Sequence, residues 1–508
     1  MIAGDVSPRA SGFVPDWLTG FAGMAFAVAG YRVLYSAAHL LAGLPLGMDD
    51  VSDNVWVQQL ALTYGRRQPP LYDWLLWGLQ RPLGAGELSL AVLKTLLLTL
   101  TAVFLLGAAR AAIRDRRIAA IAVLSYALYY NVAWTLLDRL PQTAALLCAC
   151  AASAWTLART LRSGRRLDYA LFGLALGAGF LAKFNFGLFA IGLLVGALSE
   201  PAVRRRLSPG GLLIALAALL LALAPFAWGV VVASPTLPGY LANSVMREGS
   251  RAPYLARVAL GLANFALAAA EYALPLIPLA LAVFWKPLAT GQLERTDDHD
   301  AFARVLGKSS LVAGAAALIG VVATGSLYVR DWHMAPVFFG APIWLFARIA
   351  RGGPKRATLR LWTALIAIAV VGCAGVRLVG AFMPSIGCNR HCMSAAGYAA
   401  LARRVGPARS ALYVFDVYDA GNLRPYLPAA HIEAPGVGWP ATSPAARCFA
   451  VWNAAGPAAP RPPPGGAWLP TGSMAPTGPD QAAPYTSPNG KPGAWGLRPL
   501  PPSSPLCR

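Results

Sequence analysis

Along the first three quarters of the chain, apolar residues recur in runs separated by short polar segments. A run of about 18 residues or more, coiled as a helix, spans a hydrocarbon core of about 30 Å. The pattern predicts helices over residues 18–46, 88–109, 118–136, 142–160, 168–182, 185–198, 211–233, 258–285, 309–328, 333–348 and 361–382. The fifth and sixth are short, flank the turn Lys183-Phe184-Asn185, and read equally as one broken hairpin. From about residue 383 the long apolar runs stop, Pro and Gly become frequent, and Ala411-Leu412-Tyr413-Val414-Phe415 reads as a short strand. The expected organisation is an N-terminal segment 1–17, a helical membrane domain 18–382, a small exported α/β-like domain 383–454 and a Pro/Gly-rich tail 455–508, extended or disordered rather than packed. The fold class expected is an all-α polytopic membrane bundle of about 11 transmembrane helices.

Composition agrees with a membrane solvent. Only 13% of the 508 residues are charged and 57% are hydrophobic, against about 25% charged in soluble domains. The net charge of +21 would suggest nucleic acid in a soluble protein. Here the Lys and Arg fall in short segments between apolar runs, and no nucleic-acid-binding motif accompanies them, so they are read as topology signals. With the N-terminus cytoplasmic, basic clusters at 110–117, 159–166, 204–206, 286–308 and 348–360 all face the cytoplasm, and the odd helix count exports the C-terminus. Residues 1–16 hold Asp5, Arg9 and Asp16 without the pattern of a cleaved signal peptide, so the first helix is expected to remain as an anchor. Cys388, Cys392, Cys448 and Cys507 fall in the exported part, where four cysteines suggest two disulfides of open pairing. Cys388 and Cys392 with His391 between them make at most a weak zinc half-site.

Candidate chemistry concentrates on the exported side. The first outside loop, Met48-Asp49-Asp50-Val51-Ser52-Asp53, holds three carboxylates within five residues. One partly desolvated, aimed carboxylate there could act as a general base for a hydroxyl. The alternative is helix capping, which suits Asp53 better than Asp49. Arg66 and Arg67 could meet a phosphate or simply face lipid. Asp138 is a further candidate, or a local ion pair with Arg139. Lys183 lies in the shortest turn of the bundle, where a charge has little structural use, and Arg330 and Arg247 also sit at outside helix ends. Long basic side chains at such ends also snorkel toward water at little cost. Residues 243–251 form a polar, Gly-bearing loop of the kind that covers substrates. His39 reads as a buried helix residue and His333 as marginal.

Taken in order, the acidic first outside loop, the segment Gly65-Arg66-Arg67-Gln68-Pro69-Pro70-Leu71-Tyr72-Asp73-Trp74-Leu75, then Leu137-Asp138-Arg139-Leu140-Pro141-Gln142-Thr143, Gly177 to Phe186, and Val329-Arg330-Asp331-Trp332-His333 resemble the protein-mannosyltransferase-like GT-C glycosyltransferases. These are glycosyltransferase family 39 and relatives, including bacterial enzymes that move sugars onto lipid A or lipopolysaccharide core. The resemblance covers about residues 20–380. It implies a GT-C-type bundle and inverting transfer of a hexose or pentose from a polyprenyl-phosphate carrier to an envelope acceptor (lipid A, polysaccharide or protein). It places the reaction at the periplasmic face of the bacterial inner membrane, with no nucleotide fold. Asp49 aligns with the family's catalytic acid. Where many relatives carry Asp-Glu this chain has Asp49-Asp50, so Asp50 or Asp53 stands in for the missing Glu. Lys183, Arg330 and the pair Arg66 and Arg67 are the cations expected to hold the donor phosphate.

No cofactor is expected, although three acids could hold a hard divalent cation. The main rival is a transporter or flippase of lipid-linked molecules, which should place ionisable residues near the bilayer midplane. Lys94, Glu271 and Arg377 are the charges noted within the predicted spans. Lys94 and Arg377 lie close enough to an end to snorkel, and Glu271 would favour transport. A non-catalytic scaffold is the third reading, kept open because Ser52 stands where many relatives carry an acid three residues after the first Asp.

Overall fold

The computed structural model describes residues 13–64, 68–233, 252–383, 397–406, 410–437, 447–455, 481–486 and 492–501. The chain begins with α1 (Phe21–Leu41), followed by two short helices, α2 (Met48–Trp56) and α3 (Leu71–Leu83), and the long α4 (Glu87–Ala112). After α5 (Arg116–Leu124) the helix is broken by a 3-10 turn (Ser125–Leu128), a π-helical turn (Asn131–Thr135) and one α turn (Leu136–Asp138). Then come α6 (Pro141–Ser163), α7 (Arg166–Ala182), α8 (Phe186–Ser199), α9 (Pro209–Ala233), α10 (Tyr254–Ala273), α11 (Leu276–Val283) and α12 (Asp298–Thr324). A bent pair, Asp331–Phe338 and α13 (Ala341–Arg351), leads to α14 (Arg356–Phe382).

Among the described residues seven helices are long and apolar enough to cross a membrane, or eight with the bent pair counted as one span. The other three predicted spans coincide with shorter or broken elements: α7, α8 and the interrupted segment from α5 to Asp138. Small residues bring the helices close. A Cβ on Gly173 would lie 2.0 Å from the carbonyl oxygen of Ala215, and one on Gly192 would lie 2.3 Å from that of Ser309. The α7–α9 and α8–α12 contacts are therefore backbone to backbone, the packing available where the solvent is as apolar as the side chains. The outer faces of α9, α10 and α14 expose Leu221, Leu255, Ile368 and Val371, an arrangement suited to lipid and not to water.

Local signals explain the ends of these helices. Asp115 caps α5 by accepting from the amides of Arg117 and Ile118, and Asp297 caps α12 by accepting from those of His299 and Asp300. Gly164 adopts the left-handed conformation that ends α6.

The C-terminal part adds α15 (Gly397–Val405), β1 (Ser410–Val414), α16 (Val417–Leu423), β2 (His431–Glu433), β3 (Arg447–Ala455), β4 (Gln481–Thr486) and β5 (Pro492–Leu500). The strands form one sheet in the order β2-β1-β3-β5-β4, parallel for β1 with β2 and β3, antiparallel for the rest. The expectation of an extended or disordered tail over 455–505 fails for β4 and β5. Trp495 is fully buried against Tyr398 and Tyr485, so an aromatic hidden in a Pro- and Gly-rich stretch anchors two strands. Cys448 is disulfide-bonded; Cys388, Cys392 and Cys507 lie outside the described residues.

Candidate active site

Gly47, in extended conformation, releases the chain into α2, a nine-residue helix with Asp49 and Asp50 in its first turn. Acidic residues are favourable there, at the positive end of the helix dipole. The helix begins at Met48, so Asp53 is a mid-helix residue and not a cap, contrary to the sequence expectation. Residues four apart share a helix face, and successive residues diverge by about 100°. Asp49 and Asp53 accordingly look the same way and Asp50 looks elsewhere.

The face carrying Asp49 and Asp53 meets the start of α6. Asp49 Oδ2 accepts the backbone N–H of Leu140 at 2.9 Å, and both oxygens of fully buried Asp53 accept from the Gln142 side-chain amide at 3.0 and 3.1 Å. Leu140 is the only non-glycine residue with positive φ among those described, at φ 57° and ψ 48°. That conformation is disfavoured for a branched side chain. It turns the amide toward Asp49 just before Pro141 opens the helix, and such strained positions cluster at functional sites.

Asp50 points away from this face. Its Oδ2 lies 2.7 Å from Lys94 Nζ, and both side chains are almost completely buried. Burial pushes the Asp50 carboxyl up to about 7 against the opposing pull of Lys94. Two sequence expectations are thereby corrected. Asp50 is turned away from Asp49 onto buried Lys94 instead of standing beside Asp49, and Lys94 does not snorkel. The three acids of the loop each face a different partner, and among the described residues no group of three His, Cys, Asp or Glu side chains is placed to hold a metal.

Lys183 terminates α7 and is 6% exposed. Its Nζ donates to Thr143 Oγ1 at 2.9 Å, one helical turn from the amide that holds Asp49. Burial brings its ammonium down to about 8, with the charge of Asp49 acting in the opposite direction. The adjoining Asn185 donates to the carbonyl of His333 at 3.2 Å, and His333 lies within electrostatic reach of both Lys183 and Arg330. Arg330 itself is exposed, with its guanidinium 5.7 Å from the Tyr328 ring. Asn131 ties the π-helical turn to the same region by donating to Asp331 Oδ2 at 2.9 Å. Asp49 and Lys183 therefore meet at the start of α6, with His333 near Lys183 and Arg330 beside His333.

Arg66, Arg67 and Arg247 lie outside the described residues, as does the Asp138 side chain; the backbone of Asp138 closes the single turn before Leu140. Glu271 is exposed on α10. Arg377 is half-buried, its guanidinium 3.8 Å from the Trp134 ring centre. His39, on α1, is partly buried rather than buried and lies 3.5 Å from Glu87.

Sequence reasoning missed Arg32. It sits in α1, 2% exposed, and donates to the carbonyl of Leu137 at 2.8 Å and to Ser36 at 3.4 Å. A charge at the centre of an apolar run was the available signal, since such residues are costly to bury without a purpose. Gln142 and Thr143 were quoted within a motif, and only the fold gives them partners.

Residues 67–228 match the family described as dolichyl-phosphate-mannose-protein mannosyltransferase. The chain is 27% identical over 349 residues to the lipopolysaccharide core galacturonosyltransferase RgtB of Rhizobium johnstonii, covering 68% of this chain and 69% of the relative. It is 28% identical over 434 residues to RgtA of the same organism, covering 82% and 83%. Among solved structures, ArnT from Cupriavidus metallidurans bound to undecaprenyl phosphate superposes with a TM-score of 0.59 at 15% identity, covering 94% of this chain and 98% of that one. Its apo form gives 0.55. The fold is thus shared with ArnT, and the resemblance to GT-C glycosyltransferases of the lipid A and core-sugar type holds.

Proposed function

We propose that this chain, similar along most of its length to lipopolysaccharide core galacturonosyltransferases, is a membrane glycosyltransferase that moves a sugar from a polyprenyl-phosphate carrier to an envelope glycolipid. In the reaction we infer, an acceptor hydroxyl attacks the anomeric carbon of the donor and Asp49 takes the hydroxyl proton. The bond from that carbon to the phosphate oxygen breaks with inversion. The departing polyprenyl phosphate keeps the electron pair, and Lys183 and Arg330 stabilise its charge.

The observation that carries this reading is that Asp49 and Lys183, brought from separate parts of the chain, both bond to the segment Leu140–Thr143. A carboxylate and a buried cation held by one rigid turn are what simultaneous deprotonation and phosphate departure require. Buried Lys183 suits a compact phosphate, whereas exposed Arg330 could close over it from outside. A hexuronic acid is the sugar class we favour, because two relatives similar over most of this chain are named lipopolysaccharide core galacturonosyltransferases.

The proposed topology has eleven spans with the N-terminus cytoplasmic and the C-terminal domain, from about residue 383, periplasmic in the inner membrane. This follows the basic clusters along the sequence. Transfer of labelled sugar from the polyprenyl-phosphate-sugar pool of native membranes to lipopolysaccharide tests the mechanism. Asp49→Asn should lower turnover by about 10²–10⁴ while the protein still binds undecaprenyl phosphate. Undiminished transfer would remove Asp49 from the role of base.

A further inference from the structure

The helix that carries Asp49 is held from outside the membrane domain by a set of directed bonds that the proposed chemistry does not use. The Asn422 side-chain oxygen accepts the N–H of Leu46, just before α2 begins, at 2.7 Å, while its amide donates to Tyr418 at 3.0 Å. Near the other end of α2, the Asn54 amide donates to the carbonyl of Gly421 at 2.8 Å, and Arg424 donates to the carbonyl of Asn54. Gln80 of α3 donates to the Asn54 side-chain oxygen at 2.8 Å, tying the same residue to the membrane domain. Beyond α2, the Gln58 side chain behaves as an added strand residue. It donates to the carbonyl of Ile432 at 2.7 Å and accepts its N–H at 2.9 Å, along the free edge of β2. Between these bonds the backbones touch: a Cβ on Gly421 would stand 2.3 Å from the carbonyl oxygen of Val51.

These contacts have the character of a registered seat and not of incidental packing. Asn54 is fully buried and Asn422 is 5% exposed, so each lost partner would leave a polar group unsatisfied. The bonds grip both ends of a nine-residue helix, too short to be stable alone, and between those grips lies the Asp49 contact with Leu140. The donor cations Lys183 and Arg330 belong to other elements and make no contact with α16 among the described bonds.

We propose that α16 and the residue pair Asn422 and Arg424 are positioning elements for the base helix, so that the C-terminal domain serves the chemical step and not donor capture. This rests on the reading of Asp49 as the base. The separation of α2 from the donor cations gives the prediction its form: weakening the seat should lower turnover and leave donor affinity intact.

The test uses the full chain in proteoliposomes, measuring kcat for sugar transfer from the native polyprenyl-phosphate-sugar pool and Kd for undecaprenyl phosphate. Asn422→Leu and Arg424→Met should each lower kcat by about tenfold or more with Kd changed less than about threefold. Asn422→Asp, which keeps the accepting oxygen, and Arg424→Lys should recover most of the rate. If either disruptive variant fails to insert, Gly421→Ala, which crowds Val51 without removing a polar group, should give the same split. Wild-type kcat in the disruptive variants would overturn the proposal. So would kcat and Kd worsening together, or no recovery in the conservative variants. Asp49→Asn in parallel separates the two claims: full transfer there means that the base assignment fails, whereas its loss beside unaffected seat variants means that the positioning role fails.

Discussion

Lys183 donates to the hydroxyl of Thr143 at 2.9 Å, and this bond joins the end of α7 to the first turn of α6, beside the amide that holds Asp49. A buried ammonium with a neutral hydroxyl as its hydrogen-bond partner is poised for an anion. Burial lowers its affinity for a proton, and a phosphate would restore it.

A pH dependence follows. The Lys183 ammonium, brought down to about 8, carries its charge below that pH and loses it above. Undecaprenyl phosphate binding should therefore be strong below about pH 8 and fall as pH rises through it. Because phosphate favours the charged form, the corresponding limb in the bound state should lie at higher pH. Lys183→Arg should abolish the limb, and Lys183→Met should lose binding at all pH values. Equilibrium binding across pH 6–10 checks this.

Arg330 is exposed and should act as a screened, assisting cation. Arg330→Ala should weaken undecaprenyl phosphate binding by about tenfold, with a larger effect at low salt than at high salt. Titrations at two ionic strengths would show it.

The Asp50–Lys94 pair is buried on both sides. Removing one partner leaves an uncompensated charge and costs about 3–5 kcal/mol, whereas replacing both by apolar groups is often neutral. Lys94→Met should lower thermal stability in detergent sharply, and Asp50→Leu with Lys94→Met should recover most of it. If Asp50→Asn alone leaves stability and fold intact but abolishes transfer, Asp50 belongs to the chemistry after all.

Arg32 braces the turn that presents the Leu140 amide, through the carbonyl of Leu137 three residues earlier. Arg32→Met should leave that carbonyl without its partner, at about 1–3 kcal/mol, and lower transfer more than donor binding. Arg32→Lys should retain part of the rate, since one donor can still reach. Stability and turnover measured on the same preparations separate bracing from simple unfolding.

How much was legible in advance depends on the range of the interaction. Hydropathy marked the membrane helices, because an apolar run's preference for lipid is a property of the run alone. The motif order pointed to Asp49, Lys183 and Arg330 as members of one exported site. The same reading favoured Asp49 as the base but left the assignment within the trio open, because Asp49 and Asp50 are neighbours of identical chemistry. The register of α2 separates them, turning one toward Leu140 and the other toward Lys94. It also mistook Asp53 for a cap, because the residues that start a nine-residue helix are set by what packs on it more than by its own propensities.

Two strands in the C-terminal tail were hidden for a related reason. Their composition is that of a linker, and their stability comes from pairing with β3 and from the burial of Trp495.

The sequence by itself determined the solvent, the approximate helices, the charge bias from end to end and the chemical identity of the site's acids and cations. Only the tertiary structure decided which carboxylate is walled in with a lysine, which arginine braces a turn 105 residues away, and that α16 seats the helix bearing Asp49. The cause is physical: partition into lipid is summed along a segment, whereas the fate of a buried charge is set by the groups that folding brings within a few ångströms of it.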